Sequence, residues 1–268
     1  MGAARKSPDE MTFLEHLEDL RKRLWWSFVS IVIAMIPAWF FHKQLFDILA
    51  HPLTKYLPEG ENLVFTNLPD PFFAYIKVSF VAALFLVAPF IFLQVWYFIA
   101  PGLYQKEKKY VWPFVIFTTV FFAGGAVFGY MIVFPFACRF FLGMGSEFQA
   151  MITVNQYFAL VIRILLGIAL VFELPTLVFF LSKMGLITSR FMIKNFKYAV
   201  LIAFVVAAII TPTPDMITQS IIAVPMLGLY GLSILIAMIF GKKEGSDKKK
   251  KEKKKKSPKN SSKENTSE

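Results

Sequence analysis

Cysteine is almost absent from this chain. Cys138 is the single one in 268 residues, which excludes an intrachain disulfide and leaves no thiolate set for a metal cluster. Histidine is scarce too: His16, His42 and His51 do not cluster, and no HExxH, GxSxG or P-loop spacing occurs. No serine–histidine pairing and no pair of intramembrane aspartates is at hand to hydrolyse a peptide bond. The expectation is a protein that is not an enzyme and uses neither cofactor nor metal. Acidic residues are outnumbered, 18 against 29 Lys and Arg, for a net charge of +11. Twelve of those cations follow Gly241, so the charge is not spread over a nucleic-acid surface and no nucleic-acid partner is expected. The stretch 241–268 has no apolar periodicity with which to bury a core. It reads as a disordered Lys-rich tail, either solvated or in contact with anionic lipid.

Apolar residues, by contrast, make up 56% of the chain, and the mean hydropathy is +0.57. Crossing a hydrocarbon core takes about 20 such residues in a row. Six runs qualify as spans: 24–41, 73–99, 111–138, 157–182, 197–211 and 216–240. The fold class is therefore all-α, a polytopic integral membrane protein in which residues 1–240 form one membrane domain. No cleavable signal peptide is expected. Asp9, Glu10, Glu15, Glu18 and Asp19 precede the first run, and no small-residue cleavage site follows it.

The segments between spans differ in charge. One set carries Arg5, Lys6, Arg21, Lys22, Arg23, Lys106, Lys108, Lys109, Lys183, Arg190, Lys194, Lys197 and the Lys tail; the other has Lys43, Lys55 and Arg139. Basic segments stay in the cytoplasm, so an even span count predicts both termini inside. The longest external loop is 42–72, with Pro52, Pro58, Gly60, Pro69 and Pro71 as breakers and Leu45–Leu57 as a short interfacial helix. Ser7-Pro8-Asp9-Glu10 reads as a capping box. It opens an amphipathic helix in the cytoplasmic segment 1–23, where Phe13, Leu17 and Leu20, followed by Leu24, recur at helical spacing, suited to the membrane surface. Pro37, Pro89, Pro113, Pro135, Pro175 and Pro225 punctuate the spans and predict a curved bundle with a concave side. Gly125 and Gly129 form a GxxxG that permits close helix contact. Span five is short, bounded by Asn195 and Pro212.

Few residues stand out for function. Asp19 precedes Lys22 and Arg23 by three and four positions, the spacing of a surface ion pair worth a few tenths of a kcal/mol. Glu107 sits between Lys106 and Lys108 before the third span. On one membrane face the two carboxylates would form an acidic docking site within a basic surround, fitted to a cationic ligand. Glu173 lies in mid-span, and its nearest charges, Arg163 and Lys183, are ten residues away on either side. A carboxylate there costs at least ~2.5 kcal/mol, so it should face a polar cavity, be protonated or meet a donor from another protein. Arg163 and Lys77 are placed to snorkel to the outer interface. Trp96 and Tyr97 read as interfacial anchors, with Gln94 and Phe98 available to line the docking site.

His16-Leu17-Glu18-Asp19-Leu20-Arg21-Lys22-Arg23, Asp70-Pro71-Phe72-Phe73, Gln94-Val95-Trp96-Tyr97-Phe98-Ile99-Ala100-Pro101-Gly102-Leu103, Phe172-Glu173-Leu174-Pro175 and Thr211-Pro212-Thr213-Pro214-Asp215 together resemble the TatC family over about residues 10–240. That resemblance implies a cup-shaped, six-span core subunit of the twin-arginine translocase in the cell inner membrane. Such a subunit binds the Arg-Arg signal peptide of folded cargo at its cytoplasmic face. It self-associates in a multimeric complex, works with TatA- and TatB-type single-span subunits and depends on the proton-motive force. Residue by residue, the resemblance assigns Asp19 and Glu107 to signal recognition, with Arg21, Gln94 and Phe98 at or beside that site. It makes Glu173 an intramembrane contact on the concave side, and gives Pro52 and Asp215 places in the external loops. The family pattern carries glutamate where Asp19 stands, and Glu18 points about 100° away on a helix. The competing reading is a proton-coupled secondary transporter of a small solute built around Glu173. It calls for inverted repeats, which the unequal halves do not show.

Overall fold

The computed structural model describes residues 13–56, 63–99, 111–145, 147–148, 151–211 and 215–241. The capping box at 7–10, Pro58, Gly60, the whole of 100–110 with Glu107, the prolines at 212 and 214 and the Lys tail lie outside those residues. In chain order the helices are α1 (Phe13–Phe40), α2 (His42–Thr54), α3 (Asp70–Ile99), α4 (Val111–Phe128), α5 (Phe134–Met144), α6 (Val154–Phe172), α7 (Leu174–Met184), α8 (Ser189–Lys194), α9 (Phe196–Ile210) and α10 (Met216–Phe240). Val64 and Thr153 form an isolated parallel bridge. Among the described residues five helical stretches are long and apolar enough to cross a membrane, and α9 is a sixth, shorter one. Helices are the form expected, because each satisfies its own backbone groups where no water can.

The N-terminal segment departs from expectation. It is not a separate surface helix: no glycine or proline interrupts residues 13–36, so it continues without a break into the first span. The resulting 28-residue helix is about 42 Å long, longer than a ~30 Å hydrocarbon core.

The prolines fall into two groups. Pro37, Pro89 and Pro225 stay inside α1, α3 and α10, and Pro113 occupies the first turn of α4, where no helical donor is required. Pro135 and Pro175 divide their spans. Before Pro135 the chain takes a π-helical turn, Gly129–Val133, which relieves the contact between the proline ring and the preceding turn. Before Pro175 the helix breaks at Glu173 (φ −74°, ψ −13°), whose N–H closes a short turn onto the Leu170 carbonyl at 3.2 Å.

Gly125 explains how α4 reaches α6: a Cβ there would lie 2.8 Å from both Ala169 Cα and Phe172 Cβ. Only a residue without a side chain allows that approach. Half of the most apolar stretch of Val154–Met184 is buried, against 11% for Glu15–Phe40, so α6 and α7 form the centre and α1 the rim. Gly185, in the left-handed region at φ 81°, closes α7. The short helix α8, capped by the Thr188 hydroxyl, has no counterpart in the sequence reading.

One end of the bundle carries α2 and the turns before α3 and α6, and is called here the capped end. Pro52 is not a breaker: it lies within α2, near its C-terminal end, and is buried. Lacking an N–H, it cannot bond the Ile48 carbonyl four residues back. That carbonyl instead accepts from the Tyr130 hydroxyl at 2.5 Å, and the Leu49 carbonyl accepts from Tyr157 at 2.7 Å. Lys77 donates to Asn155 Oδ1 at 2.5 Å rather than reaching freely for the interface. The Asp70 carboxylate accepts from the Asn67 N–H at 3.0 Å, fixing the turn into α3.

Candidate functional site

The opposite, charged end is built by α1, the end of α3, the start of α4 and the ends of α7 and α10. His16, Asp19 and Arg23 recur at three and four residues and so share one face of α1. That face packs on the end of α3. The His16 ring stacks on Phe98 with centroids 4.5 Å apart and planes 22° apart, and the Arg23 guanidinium lies 5.5 Å from the Tyr97 ring centre. Arg23 Nε donates to Asp19 Oδ2 at 2.8 Å, with both side chains about three-quarters buried. Asp19 and Phe98 therefore belong to one cluster. Gln94, a turn back from Phe98 on α3, is half-buried. Arg21 is exposed and sits about 200° around α1 from Asp19, so it does not face that cluster. Glu107 lies outside the described residues.

Trp96 is not a lipid-facing anchor. It is 1% exposed and packs on Phe114 and Phe180 with centroids 4.9 and 5.2 Å away. Its position on α3 points it at α4 and α7, whereas Tyr97, one residue on, is exposed as expected. A tryptophan near a span end looks the same in sequence whichever way it faces; only the neighbouring helices decide.

Glu173 occupies the joint between α6 and α7 and is 6% exposed. Its Oε1 has no hydrogen-bond partner among the described residues. It is ten residues, about 15 Å along the helix, from Lys183 at the charged end. The break at Pro175 leaves the local backbone short of its regular ladder, and the carboxylate lies at that joint. Asp215 has a simpler place at the opposite end of the bundle. It caps α10, accepting from the Thr218 N–H at 2.7 Å and from the Thr218 hydroxyl. Among the described residues no group of three or more His, Cys, Asp and Glu is arranged to hold a metal ion. Tyr130, Tyr157 and Asn155 were not singled out by sequence reasoning. For the two tyrosines the one available signal was a hydroxyl within an apolar run, since it needs a partner.

The family model described as "TatC: Sec-independent protein translocase protein (TatC)" matches residues 15–225. A Sec-independent protein translocase protein TatC from Koribacter versatilis is 45% identical over 236 residues, covering 87% of each chain. One from Desulforapulum autotrophicum is 44% identical over 245 residues, covering 91% of this chain and 90% of its own. A crystal structure of the twin arginine translocase receptor TatC superposes with a TM-score of 0.75 at 36% identity, covering 84% of this chain and 99% of that one. With apolar helices in the number and order of a multi-pass membrane protein and relatives that match along most of their length, the chain belongs to the TatC family of Sec-independent protein translocase proteins.

Proposed function

We propose that this translocase subunit receives the twin-arginine signal peptide of folded cargo at its charged end, and that this end faces the cytoplasm of a cell whose inner membrane holds it. The observation that carries the reading is the Asp19–Arg23 pair, with Arg23 over the Tyr97 ring and His16 of the same helix face stacked on Phe98. There Arg23 already presents to Asp19 the group that a signal arginine would bring. A pair that water still reaches is worth at most about 1 kcal/mol, so exchanging Arg23 for a ligand's guanidinium costs little. A guanidinium meets a carboxylate through a planar fork that lysine cannot reproduce, which would make the site selective for arginine. Asp19 takes one arginine of the pair and Glu107 the other, with Gln94 and Phe98 beside them and Arg21 on the outer face of α1.

Orientation follows from charge. Arg21, Lys22, Arg23, Lys183, Arg190, Lys194 and Lys197 belong to the charged end and its connections, against Lys43, Lys55 and Arg139 at the other. Both termini are then cytoplasmic, with 1–240 as the membrane unit and 241–268 as a solvated tail. The subunit performs no catalysis of its own. It self-associates and works with TatA- and TatB-type single-span subunits under the proton-motive force, with Pro52 and Asp215 shaping its external side.

The test is crosslinking of a twin-arginine signal to membranes holding each variant. Glu107→Ala lowers capture at least ~10-fold, the loss of one charge-assisted hydrogen bond, and Asp19→Ala less, with membrane levels of the protein unchanged. Unaltered capture in both removes the assignment. Glu173 is assigned a polar contact with a partner's membrane helix, on the strength of its burial and its unpartnered Oε1. Glu173→Ala should impair partner recruitment and export, whereas Glu173→Gln retains part of both. Normal recruitment by Glu173→Ala rules that role out.

A further inference from the structure

Of the proposed recognition residues, Asp19 and Phe98 are already engaged by other side chains of α1. Arg23, a turn further on, donates from Nε to Asp19 Oδ2 at 2.8 Å, and His16, a turn back, stacks on Phe98. Asp19 has two basic neighbours within helical reach, yet it pairs with one. Lys22, three residues on, is exposed and makes no pair with it among the described residues. The difference lies in α3. The Arg23 guanidinium lies 5.5 Å from the Tyr97 ring centre, and arginine is the cation that most often settles over such a ring.

As a salt bridge the contact is incomplete. Only Nε donates, to one carboxylate oxygen, so the two parallel bonds of a guanidinium fork are not both made. Arg23 is tethered to the helix that carries Asp19, and that tether limits how its fork can approach. An arginine arriving from outside is free to present two donors to the two oxygens. The side chains of Arg23 and Asp19 are 22% and 23% exposed, so an incoming group can reach the pair.

We propose that Arg23 is a built-in competitor for the signal peptide: it occupies Asp19 in the resting receptor, Tyr97 keeps its guanidinium there, and a signal arginine binds by displacing it. The inference rests on the signal-receptor reading and adds to it a residue that sets the affinity threshold. A site that is free only part of the time binds with an affinity reduced by that fraction. A pair that water still reaches shifts its equilibrium by no more than about fivefold, which bounds the reduction. Every cation that needs Asp19 meets the same handicap. A forked guanidinium offsets it with its second bond, and a lysine ammonium does not. When the signal leaves, Arg23 is at hand to cover the carboxylate again.

The test titrates membranes holding each full-length variant with a photoreactive twin-arginine signal peptide and reads the half-saturating concentration. Arg23→Met keeps an unbranched stem against Tyr97 but removes the guanidinium, and should lower that concentration about threefold. Lys22→Met removes a charge of the same sign one residue away and should change it by less than about 1.5-fold. In an Asp19→Ala background Arg23→Met should have no effect, because no carboxylate is left to contest. An unchanged or raised half-saturating concentration in Arg23→Met overturns the proposal. So does an equal gain from Lys22→Met, the mark of general charge, or a gain that persists without Asp19. The receptor reading fails in a different way, by unaltered capture in both Asp19→Ala and Glu107→Ala. Weakened capture in those two variants, with no gain from Arg23→Met, overturns the competitor alone.

Discussion

Tyr157 at the capped end and Trp96 at the charged end are comparably buried, at 3% and 1% exposure, and both carry a polar atom on a large ring. Tyr157 donates to the Leu49 carbonyl at 2.7 Å; the Trp96 indole N–H has no partner among the described residues. The contrast extends to their surroundings. Hydrogen bonds from Tyr130, Tyr157 and Lys77, together with the Val64–Thr153 bridge, tie the capped end across segments far apart in sequence. At the charged end the Tyr230 hydroxyl donates to the Met192 carbonyl at 3.0 Å, stacked rings and the Asp19–Arg23 pair add to it, and the Ser182 hydroxyl is left without a partner among the described residues. Directional bonds fix a geometry, whereas ring contacts and water-accessible ion pairs exchange partners at small cost. The ligand exchange proposed for the charged end fits the second kind of bonding, and a closed cap the first.

Trp96→Ala tests the charged end most severely. Removing a fully buried ring between Phe114 and Phe180 should cost about 3 kcal/mol or more, read as a lowered denaturation midpoint in detergent. A midpoint within a degree of the parent would mean that the rings are not what holds this end. At the capped end, Tyr157→Phe and Tyr130→Phe should each cost about 1 kcal/mol. The Tyr130 effect should shrink in a Pro52→Ala background, because an alanine in place of the proline restores an N–H for the Ile48 carbonyl. Strict additivity in that double-mutant cycle would contradict the exchange of donors. Smallest of all, Ser182→Ala removes a hydroxyl that bonds nothing described and should leave stability within about 0.5 kcal/mol. A loss comparable with that of Tyr157→Phe would erase the difference between the ends.

Much of the architecture was legible because membranes impose a simple length rule. The runs 73–99 and 216–240 correspond closely to α3 and α10, and the short fifth span appears as Phe196–Ile210. Pro175 signalled a bend, and the helix does break one residue before Leu174. Other features were not legible. Hydropathy cannot tell which side of a span faces lipid, so Trp96 was misread as an anchor. Pro52 looked like a loop breaker because its missing donor is compensated by Tyr130, 78 residues away in sequence and visible only in the folded bundle. Of the candidate site, Asp19 and Phe98 are seen together, while Glu107 falls outside the described residues, so the pairing of the two carboxylates is for crosslinking to decide.

By itself the sequence determined the solvent and the class. Runs of about 20 apolar residues have the length that crosses a lipid core, and at that length the chain closes its backbone bonds within helices rather than between the shorter strands of a barrel. It also determined that the few charges kept near or inside those runs must have partners or a purpose, since burying them is costly. The tertiary structure alone decided which partners those are. It laid Arg23, already at pairing distance from Asp19 along α1, on the ring of Tyr97, brought Lys77 to Asn155 and Tyr130 to the carbonyl that Pro52 leaves open, and left Glu173 at the break between α6 and α7. Such pairings depend on which helix faces lie together, and each is set by close contacts such as that of Gly125 with Ala169, which no local pattern of residues encodes.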